Sequence, residues 1–134
     1  APGVITAIQS AEAIIVCPSN PITSIGPILS VPGIRNALIE SKAAVIGVSP
    51  MIGATAISGP AHKLMVASGF EASALGVAQC YGDFLDTLLL ANEDRGFIPA
   101  IEPLQVKVVV SDIRMADLTA KRRLARELLA LARK

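Results

Sequence analysis

Apolar residues in this chain come in short unbroken runs, separated by proline, glycine and polar residues. The runs at 13–17, 43–48, 87–90 and 105–110 are short and continuous. That is how strands buried on both faces of a parallel sheet read, since one wet face would impose alternation. Between them the spacing turns helical. Val4, Ile5 and Ile8 mark a helix over about 3–11, with Pro2 at its start. Residues 22–29 read as a short helical stretch interrupted by Pro27. Ile34, Ala37, Leu38 and Ser41 fall at i, i+3, i+4 and i+7 and predict an amphipathic helix over 34–41. Pro60 opens another helix to about residue 67. A further helix over 71–83 turns Ala74, Leu75, Ala78 and Tyr81 inward. The last helix starts at Met115 or Asp117, with Leu124, Leu128 and Leu131 as its apolar stripe.

Strands alternating with helices predict an α/β fold, a three-layer Rossmann-like arrangement in which helices flank a mostly parallel sheet. One α/β domain over residues 1–134 is the expectation. Two segments break the rhythm. Residues 18–21 are four turn-forming residues in a row, and 49–59 form a long, uncharged, irregular connection.

Composition narrows the function classes. Hydrophobic residues make up 52% of the chain and charged residues 17%, too apolar for a disordered protein. No run approaches the ~20 apolar residues of a membrane helix, so a soluble, cytoplasmic protein is expected. A net charge of +1 gives no general affinity for nucleic acid. The cations gathered in Lys121, Arg122, Arg123, Arg126, Arg133 and Lys134 have no interleaved aromatic residue to stack on bases. They read as the solvated face and end of a helix. Cys17 and Cys80 form no CxxC motif and read as small core residues in a reducing compartment.

Chemistry is expected beyond the carboxyl ends of the strands, where open parallel sheets bind ligands. Pro18-Ser19-Asn20-Pro21 leads through Thr23, Ser24 and Gly26 into a helical segment. Ser19, Asn20 and Ser24 offer neutral donors that would suit a phosphate, although turn and cap duties account for the same residues. The 49–59 loop, with Ser49 and Gly53, could wall a flat apolar ring. Lys63 stands at the next helix start as a point charge for a phosphate or as a surface lysine. Asp83, Asp86, Glu93 and Asp94 are explained by capping or solvation, so no metal ligand and no catalytic residue is assigned.

Cys17-Pro18-Ser19-Asn20-Pro21-Ile22-Thr23-Ser24-Ile25-Gly26-Pro27-Ile28-Leu29, followed by Val31-Pro32-Gly33-Ile34-Arg35, resembles the central signature of the 2-phospho-L-lactate transferases. Val48-Ser49-Pro50-Met51-Ile52-Gly53, Gly59-Pro60-Ala61-His62-Lys63-Leu64-Met65 and Tyr81-Gly82-Asp83-Phe84-Leu85-Asp86 match in order. Ser111-Asp112-Ile113-Arg114-Met115 and Arg123-Leu124-Ala125 resemble the family's C-terminus. Ala54, Ser58 and His62 depart from it, where a glycine, a basic residue and an acidic residue are usual.

The resemblance implies a Mg²⁺-dependent transferase of coenzyme F(420) biosynthesis. It would move a phospholactyl-type group from a GDP-activated donor to the terminal hydroxyl of the deazaflavin FO. Ser19, Asn20, Ser24 and Gly26 would line the phosphate side, with Ser49, Gly53 and Lys63 in the second loop. The family's glycine-rich first turn and the aspartates associated with metal and FO have no match here. The expectation is therefore that the chain is the C-terminal half of the enzyme, with a partial fold, and inactive without an N-terminal half. A homodimer is also implied. Two competing readings are a nucleotide-sugar-binding regulator like the related gluconeogenesis factors, and a non-catalytic structural or dimerisation module.

Overall fold

The computed structural model describes residues 1–53, 55, 56 and 60–133. In chain order, helix α1 (Val4–Gln9) precedes strand β1 (Ala13–Val16). A π-helical turn (Pro21–Ile25) then runs into α2 (Gly26–Leu29) and α3 (Ile34–Ile39), and β2 (Ala44–Val48) follows. A hairpin of β3 (Met51–Ile52) and β4 (Thr55–Ala56) leads to α4 (Ala61–Ala67) and α5 (Ala74–Tyr81). Strand β5 (Thr87–Leu90) passes through a 3-10 turn (Asn92–Phe97) and α6 (Ile98–Ile101) to β6 (Lys107–Val110). Helix α7 (Leu118–Ala132) closes the order.

Strands β1, β2, β5 and β6 form one sheet in that order, parallel throughout. Val16 lies beside Gly47, Val48 beside Leu89, and Leu90 beside Val110, so the carboxyl ends line up along one edge. Successive side chains on a strand point to opposite faces. Val45, Leu88 and Leu90 therefore join Ile34, Leu38, Val77 and Tyr81 in one core, under α3 and α5. Ile46, Val48 and Leu89 join Ile113, Leu124 and Leu128 in the other, under α7. The sheet is covered on both faces, which is why its inner strands read as unbroken apolar runs.

The resemblance implies a partial fold, the C-terminal portion of a larger one. That description is corrected: the Rossmann-like α/β architecture takes in nearly the whole chain, from α1 to α7. Two local expectations change as well. Pro27 does not interrupt the 22–29 helix but sits in the first turn of α2, where its missing N–H costs nothing. The 49–59 connection is not wholly irregular, because Met51–Ile52 and Thr55–Ala56 pair antiparallel. Residues 54 and 57–59, which include the departures at Ala54 and Ser58, lie outside the described residues.

Close packing between α4 and α5 depends on a missing side chain. A Cβ at Gly76 would stand 1.9 Å from the Glu71 carbonyl oxygen and 3.0 Å from the Met65 side chain. Gly76→Ala is expected to destabilise the fold by about 1–3 kcal/mol, the usual cost of overpacking, as a lower urea midpoint with an unchanged slope.

Candidate functional site

The first loop leaves the sheet at the carboxyl end of β1 and becomes a π-helical turn. Such turns are rare and recur at functional sites. Asn20 makes this one possible. Its side-chain Oδ1 accepts from the backbone N–H of Ile22 at 2.9 Å and of Thr23 at 3.2 Å. Two donors that a helix start leaves bare are thereby satisfied. The side chains of Thr23 and Ser24 stand exposed, and Ser19 and Asn20 are half-buried. Gly26 has a packing reason: a Cβ there would lie 2.9 Å from the Pro21 carbonyl oxygen.

Helix α4 packs against the π-helical turn. This contact brings the element that carries Lys63 alongside the one that carries Ser24, and His62 and Lys63 are both exposed. Ser49 has a different situation. It is fully buried, its N–H donates to the Leu89 carbonyl at 2.8 Å, and its Oγ takes the Met51 N–H at 3.1 Å. Its hydroxyl is thus committed to turning the chain from β2 into the hairpin. Gly53 holds the hairpin turn with φ +62, a left-handed conformation that glycine adopts without strain.

Beneath the first loop a cavity of about 480 Å³ opens between the π-helical turn and α5, lined by Pro21, Ile22, Ser30, Arg35, Phe70 and Gln79 among others. Arg35 is fixed there by a fork. Its Nε and Nη2 donate to the two Asp83 carboxylate oxygens, each at 2.6 Å, and Nη2 also reaches the Cys80 carbonyl at 3.2 Å. The guanidinium lies 5.3 Å from the Phe84 ring centroid, over its face. Burial pushes the Cys80 thiol up to about 11, against the opposing pull of Arg35, so it stays protonated and is no nucleophile. Burial also raises the Tyr81 hydroxyl. Cys17, expected in the core, is exposed.

The four carboxylates noted in the sequence do not share one explanation. Asp83 pairs with Arg35, and Asp86 accepts the Val45 N–H at 2.7 Å. Glu93 pairs with Arg114 at 2.6 Å, which holds its carboxyl below the usual range. Asp94 departs from the expectation of capping or solvation. It is 0% exposed, and neither carboxylate oxygen has a hydrogen-bond partner among the described residues. Leaving such a group unsatisfied costs about 1–3 kcal/mol, and more when it is charged. Nothing in the sequence marks it, because it stands in the polar run Asn92-Glu93-Asp94-Arg95, whose other members are exposed. Among the described residues no three His, Cys, Asp or Glu converge as a metal site, so they do not by themselves fit a Mg²⁺ cage.

The basic cluster near the chain end is mostly a solvated helix face, with one tie to the body. Arg123 donates to the Asp112 carbonyl and pairs with the carboxylates of Asp112 at 3.3 Å and Glu127 at 3.5 Å. Lys134 lies outside the described residues.

Residues 1–124 match the family model described as 2-phospho-L-lactate transferase CofD. A 2-phospho-L-lactate transferase of Methanothermobacter thermautotrophicus is 46% identical over 96% of this chain and 42% of its own length. That of Methanosarcina mazei is 45% identical over 92% of this chain and 40% of its own. A phosphoenolpyruvate transferase of Streptomyces griseus is 41% identical over 98% of this chain and 42% of its own. The chain therefore spans about two fifths of the length of the curated relatives it matches. These findings correct the restriction of the resemblance to a C-terminal half: the match covers nearly all of this chain.

Because Asn20 caps the π-helical turn through its side-chain oxygen, Asn20→Ala should lower stability by about 1 kcal/mol in urea unfolding. Asn20→Asp, which keeps the acceptor, should remain within a few tenths of wild type.

Proposed function

The chain belongs to the 2-phospho-L-lactate transferase CofD family, and on that premise we propose that it provides the phosphate-side wall of a phospho-acid transferase. The reaction moves a 2-phospholactyl or related group from a GDP-activated donor to the deazaflavin FO in coenzyme F(420) biosynthesis. One observation carries this reading. The π-helical turn capped by Asn20 stands at the carboxyl end of β1 with α4 packed against it. The elements that carry the hydroxyl donors and the lysine thus pack together at the edge where parallel sheets take ligands, which supports the reading.

In this reading Ser19 and Ser24 donate hydrogen bonds to phosphoryl oxygens, and Asn20 contributes its side-chain N–H₂ while its oxygen stays in the cap. Gly26 keeps the backbone low enough for approach. Lys63 offers its ammonium as a point charge. Ser49 and Gly53 act on the ligand indirectly, through the hairpin they shape. The chain's own residues bind and orient, and the gain is proximity and alignment of the attacking hydroxyl. The divalent metal that the family implies would neutralise charge on the diphosphate. Its ligands are proposed to lie outside this chain, and the chain alone to bind nucleotide without turnover.

Relatives named for phospholactate and for phosphoenolpyruvate are both similar to this chain, which supports a phospho-acid donor in general. Ile28, Val31 and Ile39, each about half exposed on α2, α3 and the link between them, favour the homodimer the family implies. Two free cysteines suit a cytoplasmic protein.

Calorimetric titration of GDP, with and without Mg²⁺ and with a UDP-sugar as control, checks the proposal. GDP should bind in preference to the UDP-sugar, and Ser24→Ala should weaken it about three- to ten-fold, the loss of one hydrogen bond. A flat trace from folded protein would remove the phosphate wall from this chain. Preference for the UDP-sugar would favour a regulatory nucleotide-sugar binder.

A further inference from the structure

Three arginines on the outer side of α7 meet in one groove. Thr119, Arg122, Arg123 and Arg126 line a cavity of about 340 Å³, and all four are exposed. Their spacing accounts for the meeting, since residues three and four apart on a helix are neighbours, about 5–6 Å apart at Cβ. Neither of the two loops assigned to the phosphate side contributes a residue to this lining.

Charge in the groove is compensated only in part. Arg123 is held by the carboxylates of Asp112 at 3.3 Å and Glu127 at 3.5 Å. Arg122 and Arg126 make no ion pair among the described residues. Their own helix offers them no acid. Three and four residues from Arg122 stand Leu118, Thr119, Ala125 and Arg126, and from Arg126 stand Arg122, Arg123, Leu129 and Ala130. The other carboxylates of this region are committed. Glu127 also accepts from the Ser111 hydroxyl at 2.7 Å, and Asp117 caps α7 by accepting the Ala120 N–H at 2.8 Å. Arg122 and Arg126 thus carry like charges one turn apart, an arrangement that weakens a helix.

A face that served solvation alone would be better built from acids and bases in alternation. Here two guanidinium groups, each a planar fork of donors matched to phosphoryl oxygens, converge with a third and a hydroxyl. Two uncompensated charges call for an anion that carries at least two of its own. No aromatic residue lines the groove to stack a base, so recognition falls on the phosphate.

We propose that the groove of Thr119, Arg122 and Arg126 is an anion site that takes a diphosphate group, free or carried by a nucleotide. The guanidinium groups of Arg122 and Arg126 donate to its oxygens, and the Thr119 hydroxyl adds a neutral donor. Arg123 stays with Asp112 and Glu127 and contributes field, not contact. The site is separate from the phosphate wall at the first loop and does not rest on that reading.

Calorimetric titration of pyrophosphate into the whole chain near pH 7.5, at low salt and without Mg²⁺, tests this. Wild type should bind, and Arg122→Gln and Arg126→Gln should each weaken binding about ten-fold, the loss of one charge-assisted contact. Lys121→Gln removes the same charge from the same helix outside the groove and should leave affinity within two-fold. Without ligand, both arginine variants should melt no lower than wild type, because a repulsion is relieved. Titration of GDP into Arg126→Gln separates the two sources. A ten-fold loss assigns a nucleotide's diphosphate to the groove, an unchanged affinity assigns the free anion, and each agrees with the proposal. Folded wild type that gives neither heat nor a raised melting temperature with pyrophosphate would overturn it. Equal weakening by Lys121→Gln, the mark of a diffuse field, would do the same, as would pyrophosphate binding lost in Ser24→Ala and intact in both arginine variants. Ser24→Ala reports on the first loop and Arg126→Gln on α7, so failure of the phosphate wall and failure of this groove are separate results.

Discussion

Burial of β2 and β5 on both faces is the constraint from which the rest of the structure follows. Val45 and Leu88 cannot reach the same core as Ile46 and Leu89, because adjacent residues on a strand point apart. Two helical layers are required, and a parallel sheet can only be built by crossovers long enough to supply them. Helices α3 and α5 serve one face and α7 the other, and each is apolar where it meets the sheet. The edge strands show the converse: β1 and the start of β6 are only partly covered, and there the sequence admits Ala13 and Lys107.

The same constraint selects where a ligand can act. With both faces occupied, the free surface of the sheet is its two ends, and the loops at the carboxyl end start in register from β1, β2 and β5. Two of these loops are held by a buried or half-buried polar group, in different ways. Asn20 caps a π-helical turn and Ser49 closes a small ring with Met51. Order at this edge comes from side chains bonded to nearby backbone. Ser24 and Lys63 meanwhile stand exposed.

Legibility in the sequence followed from how local the cause of each feature is. The strand at Thr87–Leu90 and the helix at Ile34–Ile39 depend on period and burial, which a single stretch records. The candidate phosphate loop was visible because four turn-forming residues in a row have few other uses. Asn20 as a cap was readable too, but not the π-helical turn, which depends on Gly26 letting the Pro21 carbonyl come close. Long-range pairings left no trace. Arg35 and Asp83 are distant in the chain, and nothing in either neighbourhood announces the fork between them. Asp94 misled for the opposite reason, since its neighbours in the chain are polar and exposed while it alone turns inward.

A buried acid without a cation is a poor choice for stability, and packing does not explain it here, since an apolar residue of similar volume would cost less. The other buried polar side chains, Ser49 and Ser73, each make a hydrogen bond to backbone within three residues, so their burial is offset locally. Among the described residues Asp94 has no such local compensation. The contrast with the opposite edge of the sheet is plain: there Asp86 accepts the Val45 N–H, so the carboxylate that closes the amino end of β5 is satisfied by the backbone of the neighbouring strand.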